Sequence, residues 1–165
     1  MGIKGLFVQT ENTVPTANDK FSFANAENNN QVQSGRTTDI KAGLGVEVFL
    51  EAFTAATPVT TGDKAVCFTV PASLNGYNLT AVIVSVDDKG ITGQTDVTIV
   101  KETGGVAADM LSTEVILEDV FFAANGVIDA AEDDVATGDN ISVNVDAIHS
   151  GTAPNGLFVT LTFSL

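Results

Sequence analysis

From residue 46 onward, apolar and polar residues alternate with a period of two, the repeat of a strand that buries one face. "VEVFLEAF" sets Val46, Val48 and Leu50 against Glu47, Phe49 and Glu51. "KAVCFTV" sets Val66, Phe68 and Val70 against Ala65, Cys67 and Thr69. "TDVTIVK" places Val97 with Ile99, and "TEVILED" places Val115 with Leu117. In "NISVNVDAI" Ile141, Val143, Val145 and Ala147 share a face opposite Ser142, Asn144 and Asp146. The final "GLFVTLTFSL" aligns Leu157, Val159, Leu161 and Phe163. "NLTAVIVSVD" is apolar on both faces, which predicts a central strand covered on both sides.

Gly-, Asn- and Asp-rich turn signals separate these runs: "TTGD", "LNGY", "DDKG", "ETGG", "ANG", "ATGD" and "GTAPNG". Seven or eight strands on short turns predict an all-β fold, a β-sandwich with jelly-roll-like topology. "GVAADMLS" and "IDAAEDDVA" are each long enough for one helical turn. Residues 10–45 lack a regular pattern, and "NAENNNQVQSGRTTD" offers almost nothing to bury. The expected organisation is an extended N-terminal arm with a first strand over 1–45, then a sandwich domain over 46–165.

Charge sharpens that division. The formal net charge is −14. Residues 1–45 balance Lys4, Lys20, Arg36 and Lys41 against Glu11, Asp19, Glu27 and Asp39, so all the net charge falls on the body. A neutral arm suits contact with another protein, while the acidic body repels its neighbours. The same charge argues against phosphate-mediated nucleic-acid binding. No apolar run reaches the length of a membrane span, and the start shows no secretory pattern. A single cysteine, Cys67, forms no internal disulfide, which fits folding in a reducing cytoplasm.

The densest candidate chemistry is "VIDAAEDDVATGDNISVNVDAI", which holds Asp129, Glu132, Asp133, Asp134, Asp139 and Asp146. A calcium loop needs oxygen ligands at alternate positions. Residues 132, 133 and 134 are consecutive, so their side chains do not converge. The plainer reading is a turn with positive φ at Gly138 and Asp139 opening a strand. A cation held by Asp129, Glu132 and Asp139 is the alternative. Glu47 and Glu51, beside Phe on a strand face, are the best carboxylate pair for glycoside hydrolysis, and solvated strand residues explain them as well. A dyad of Cys67 with His149, the one histidine, is arithmetically open, but Cys67 lies in an apolar strand where a thiol is commonly a small buried hydrophobe. Too few His and Cys remain for zinc. Tyr77 in "LNGYNL" is a weak sugar platform and is expected to pack over a turn. No catalytic residue, metal or cofactor is expected.

"CFTVPASLNGYNLTAVIVSV" and "DDVATGDNISVNVDAIHSGTAPNGLFVTLTFSL" resemble β-sandwich domains of tailed-bacteriophage structural proteins: capsid-decoration, head-fibre and tail-fibre domains. The matching positions are the strand entry "TVPASLNGYNL", then Asp134, Ala136, Gly138 and Asp139, then Gly151, Thr152, Pro154, Gly156 and Leu157. The resemblance spans roughly residues 60–165 and carries no catalytic residue. It implies a virion protein made in the host cytoplasm. At this length a capsid-decoration (cement) protein on the outer capsid surface is expected, as a homotrimer bound to the major capsid protein. The arm would make the contact through Leu6, Phe7, Val8, Phe21, Phe23 and Arg36; packing of Leu6–Val8 on the chain's own body is the alternative. A head- or tail-fibre domain that binds a receptor or glycan is the second reading, marked by exposed aromatics on a loop cluster. A hydrolase on the same fold is the third.

Overall fold

The computed structural model describes residues 45–165 and, as backbone, the segments Lys20–Ala24 and Val32–Arg36. Contacts divide the chain into two units, Met1–Gly43 and Leu44–Leu165. In the first, β1 (Lys20–Ala24) pairs antiparallel with β2 (Val32–Arg36), from Lys20 opposite Arg36 to Ala24 opposite Val32. These strands depart from the patternless arm expected over 10–45. "KFSFA" and "VQSGR" are too short to stand out beside the Asn-rich stretch that joins them.

The second unit is all-β. Its strands are β3 (Val46–Pro58), β4 (Gly62–Thr69), β5 (Tyr77–Ser85), β6 (Gln94–Thr103), β7 (Val106–Asp109) and β8 (Leu111–Thr113). They continue with β9 (Val115–Glu118), β10 (Ala123–Asn125), β11 (Val127–Ile128), β12 (Asp134–Val135), β13 (Asn140–Ala147) and β14 (Asn155–Ser164). The one helical element among the described residues is a 3₁₀ turn at Ala72–Leu74. "GVAADMLS", expected to allow a helical turn, is instead β7 running into β8. None of the described helices is long and apolar enough to cross a membrane.

Two antiparallel sheets organise the unit. One runs β10-β5-β14-β3, with β12 also on β5; the other runs β4-β13-β6-β7, with β9 also on β6. A small β8–β11 pair accompanies them. The chain changes sheet at each step from β3 through β6, and again from β13 to β14. Buried side chains from both sheets belong to one cluster. Leu157, Val159, Leu161 and Phe163 of β14 are each 0% exposed, and Val97, Ile99, Ile141 and Val143 of the other sheet match them. Phe68 on β4 meets Phe163 on β14 edge-to-face, centroids 6.3 Å apart at 75°. The alternation of β13 and β14 is therefore the imprint of a single buried face, at roughly 1.5–3 kcal/mol per large apolar side chain.

Strand β5 differs from its expected double burial. It is central, between β14 and β10 or β12, yet Asn78, Thr80 and Ile83 are exposed. Its buried positions change phase: Tyr77 and Leu79, then Val82 and Val84. The register against β14 slips where Thr162 faces Ala81 but Phe163 faces Leu79. The slip inserts one extra residue, and Thr80 Oγ1 donates to the Thr162 carbonyl there at 3.1 Å. This bulge returns both halves of the strand to one core face. Without it, half the apolar residues of β5 would point outward, which is why the run looks apolar on both sides. Tyr77 opens the strand directly after the Asn75–Gly76 turn and is buried in the core, 8% exposed.

Candidate functional site

The acidic segment builds a site around a lysine. Lys101 lies on β6, and its side chain is only 9% exposed. Its Nζ donates to the Asp134 carbonyl at 2.9 Å and to Asp134 Oδ1 at 3.2 Å, and lies 3.4 Å from Glu132 Oε2. Burying an ammonium is costly unless opposite charge and acceptors meet it, and this turn supplies both. The two carboxylates stay hydrated, their side chains 74% and 42% exposed.

The remaining acids serve backbone geometry. Asp129 Oδ1 accepts from the Ala131 amide at 3.0 Å, closing its own turn. Asp139 is buried; its Oδ1 accepts from Thr103 Oγ1 at 2.8 Å and its Oδ2 from the Ala136 amide at 2.8 Å. Gly138 has φ 94°, the positive value its turn requires. Asp129, Glu132 and Asp139 thus have three separate sets of partners. Among the described residues no three His, Cys, Asp or Glu side chains are grouped to hold a metal ion. Lys101→Met, which keeps the apolar stem and removes the charge, is expected to cost about 1–2 kcal/mol. EDTA or added calcium should leave the melting temperature of the wild type unchanged. A calcium-dependent rise would show that the segment holds an ion after all.

The other candidate groups are separated by the fold. Cys67 is exposed, against the expectation of a buried thiol, because it lies on the face of β4 opposite Val66 and Phe68, which pack on the core. It stands opposite Ser142 on β13. His149 lies seven residues beyond Ser142, on the order of 20 Å along an extended chain. There it is buried at 4% exposure, with Nδ1 2.9 Å from Thr95 Oγ1 and Nε2 without a hydrogen-bond partner. Glu47 and Glu51 face solvent on β3, four residues and so about 13 Å apart. Phe49 beside them is 65% exposed and stacks on Phe158 of β14, centroids 5.9 Å apart. At the surface, a 2.6 Å hydrogen bond to Glu102 holds the Lys64 ammonium above its ordinary value.

Of the residues expected at a partner interface, Leu6, Phe7 and Val8 lie outside the described residues. Phe21 and Phe23 occupy alternate positions of β1, and Arg36 ends β2 opposite Lys20.

The sequence reading missed a cleft of about 570 Å³ at one end of the sheets. Its lining includes Asp88, Lys89, Ile91, Asp119, Phe122 and Asn155. Beside it "DVFF" presents an exposed run: Val120 at 60%, Phe121 at 50% and Phe122 at 54%. The signal available was two adjacent Phe in a short connection preceded by Glu118 and Asp119, where no strand face exists to bury them.

Comparison with protein-family models, curated proteins and solved structures found no match.

Proposed function

We propose that this chain is a structural attachment protein of a tailed-phage virion, a capsid-decoration subunit that binds the outer capsid surface through residues 1–43. The second unit is read as a jelly-roll-like β-sandwich. What supports that topology is the strand order: β3 and β14, the first and last strands, are neighbours in one sheet, and β4 and β13 are neighbours in the other. Nested pairing of this kind is how two Greek keys wind into a jelly roll, an architecture used by viral capsid proteins and lectins. Fold alone does not assign a role.

The single observation that carries the role is the split of the chain. A unit with its own core, Leu44–Leu165, follows a first unit whose composition is neutral and polar. Within the described residues the acids, the thiol and the histidine have the separate structural settings given above. In this reading Leu6, Phe7, Val8, Phe21, Phe23 and Arg36 contact the major capsid protein. Repetition over the shell multiplies a modest single contact. Self-association, proposed as a homotrimer, has edges to use: among the described residues β3 and β4 each have one strand neighbour in their sheets.

A chain lacking residues 1–43 is expected to keep a cooperative melt and to lose co-sedimentation with capsids that lack the protein. Equal binding by the truncated and whole chains would refute attachment through the first unit.

A further inference from the structure

We infer that the outer face of the β10-β5-β14-β3 sheet docks a second copy of this chain, about a two-fold axis that runs along the strands between β5 and β14. The face stands apart in charge. No residue of β5, β10 or β14 is charged. Outward from β5 point Ile83, 43% exposed, and Ser85; outward from β14 point Phe158, Thr160 and Thr162. Phe49 of β3 adds a ring that already stacks on Phe158, so this aromatic pair is ordered before anything binds. The other sheet turns acids outward instead: Asp96 and Glu102 of β6, Asp109 of β7 and Asp146 of β13. The body is thus acidic on one broad face and neutral, part apolar, on the opposite one.

Charge selects the occupant. A basic partner would be drawn to the acidic sheet, whereas a second copy brings a neutral face to a neutral face. Stacked sheets lie about 10 Å apart, so this pairing holds the two acidic sheets about 30 Å from each other, several screening lengths at physiological salt. Packing through the acidic sheets would set like charges about 10 Å apart. Charge also fixes the axis. Glu47 and Glu51 of β3 are the only charges in the four strands. For aligned sheets, a two-fold across the strands would lay β3 on β3 and oppose these glutamates. A two-fold along the strands lays β3 on the neutral β10 of the second copy and β14 on its β5. Thr160 and Ile83 are neighbours across β14 and β5. The axis therefore sets each against the other in the second copy. Four strands by seven residues present roughly 450 Å² per copy in projection, near the lower bound of specific interfaces, so a reversible pair is expected.

This inference rests on the reading that the chain self-associates, and it assigns that association to a sheet face rather than to strand edges. The test is sedimentation equilibrium of the full chain from about 1 μM to about 1 mM. The mass is expected to rise with concentration to twice that of one chain. Ile83→Asp and Thr160→Lys, each placing an unpaired charge at the contact, should weaken association at least about tenfold while keeping a cooperative melt. An equimolar mixture of these two variants should associate again, because the introduced carboxylate meets the introduced ammonium across the axis. Val106→Asp, at an exposed site on β7 in the other sheet, should leave association unchanged. A wild type that stayed monomeric throughout would overturn both this face and self-association. A trimer unmoved by Ile83→Asp and Thr160→Lys would overturn the face alone and leave an edge-built trimer standing. A mixture of the two variants that stayed dissociated would overturn the two-fold pairing.

Discussion

Phe163→Ala is expected to destabilise the second unit by about 3–5 kcal/mol, the range for deleting a buried phenyl ring. Phe163 is fully buried on β14, between Leu79 of β5 and Val46 of β3, and its ring meets Phe68 of the opposite sheet. The deletion therefore empties space that both sheets line. A fall in the urea midpoint at unchanged slope would register it as lost stability rather than an altered unfolded state. Thr162→Ala, one position away on the outward face, should change stability by no more than about 0.5 kcal/mol. In a double-mutant cycle, Phe68 and Phe163 should couple by about 0.5–1.5 kcal/mol. A cost below about 1 kcal/mol for Phe163→Ala would mean that the sheets do not share this core.

Gly90→Ala is the second large effect, and its cause is space rather than backbone conformation. A Cβ on residue 90 would stand 2.3 Å from His149 Cγ and 2.4 Å from Nδ1. The ring does not withdraw freely, because it is buried and its Nδ1 pairs with Thr95. The loop does not lift freely, because its residues are held to Thr152 and Asn155. Overpacking of this kind is expected to cost about 3 kcal/mol. Most of that cost should vanish in a His149→Ala background, which removes the clashing ring. Gly62→Ala, where the new methyl meets nothing within 4 Å, serves as the control and should stay within about 0.5 kcal/mol of wild type. If Gly90→Ala melted like Gly62→Ala, the close packing of residue 90 on the imidazole would be wrong.

The contrast between these sites and the rest shows what a linear pattern carries. The core faces of β13 and β14 were readable because one buried face forces every second residue to be apolar. Ile141, Val143 and Val145 satisfy that rule, as do Leu157, Val159, Leu161 and Phe163. The rule fails at a bulge, where a single extra residue reverses the phase, so β5 looked doubly apolar. It holds at Cys67, which alternates with the core-facing Val66 and Phe68 and so turns its thiol to solvent. Charge pairing over long separations leaves no local trace: Lys101 and Asp134 stand 33 residues apart, so the acidic run gave no hint that its counter-charge is a lysine. The cleft was the least legible feature. Asp88, Asp119 and Thr152 come from three connections, and only the folding of both sheets brings these loops to one end.

These features describe a unit built for persistence, with a rigid core, an acid-clad surface and loops locked by mutual backbone hydrogen bonds. The proposal that it stands on a capsid is most directly tested by comparing density maps of particles assembled with and without the protein. Extra density on the outer shell is predicted, with residues 1–43 lying against the capsid and the Leu44–Leu165 body projecting from it. An unchanged shell, or a body seated on the capsid while the first unit points into solvent, would contradict the account.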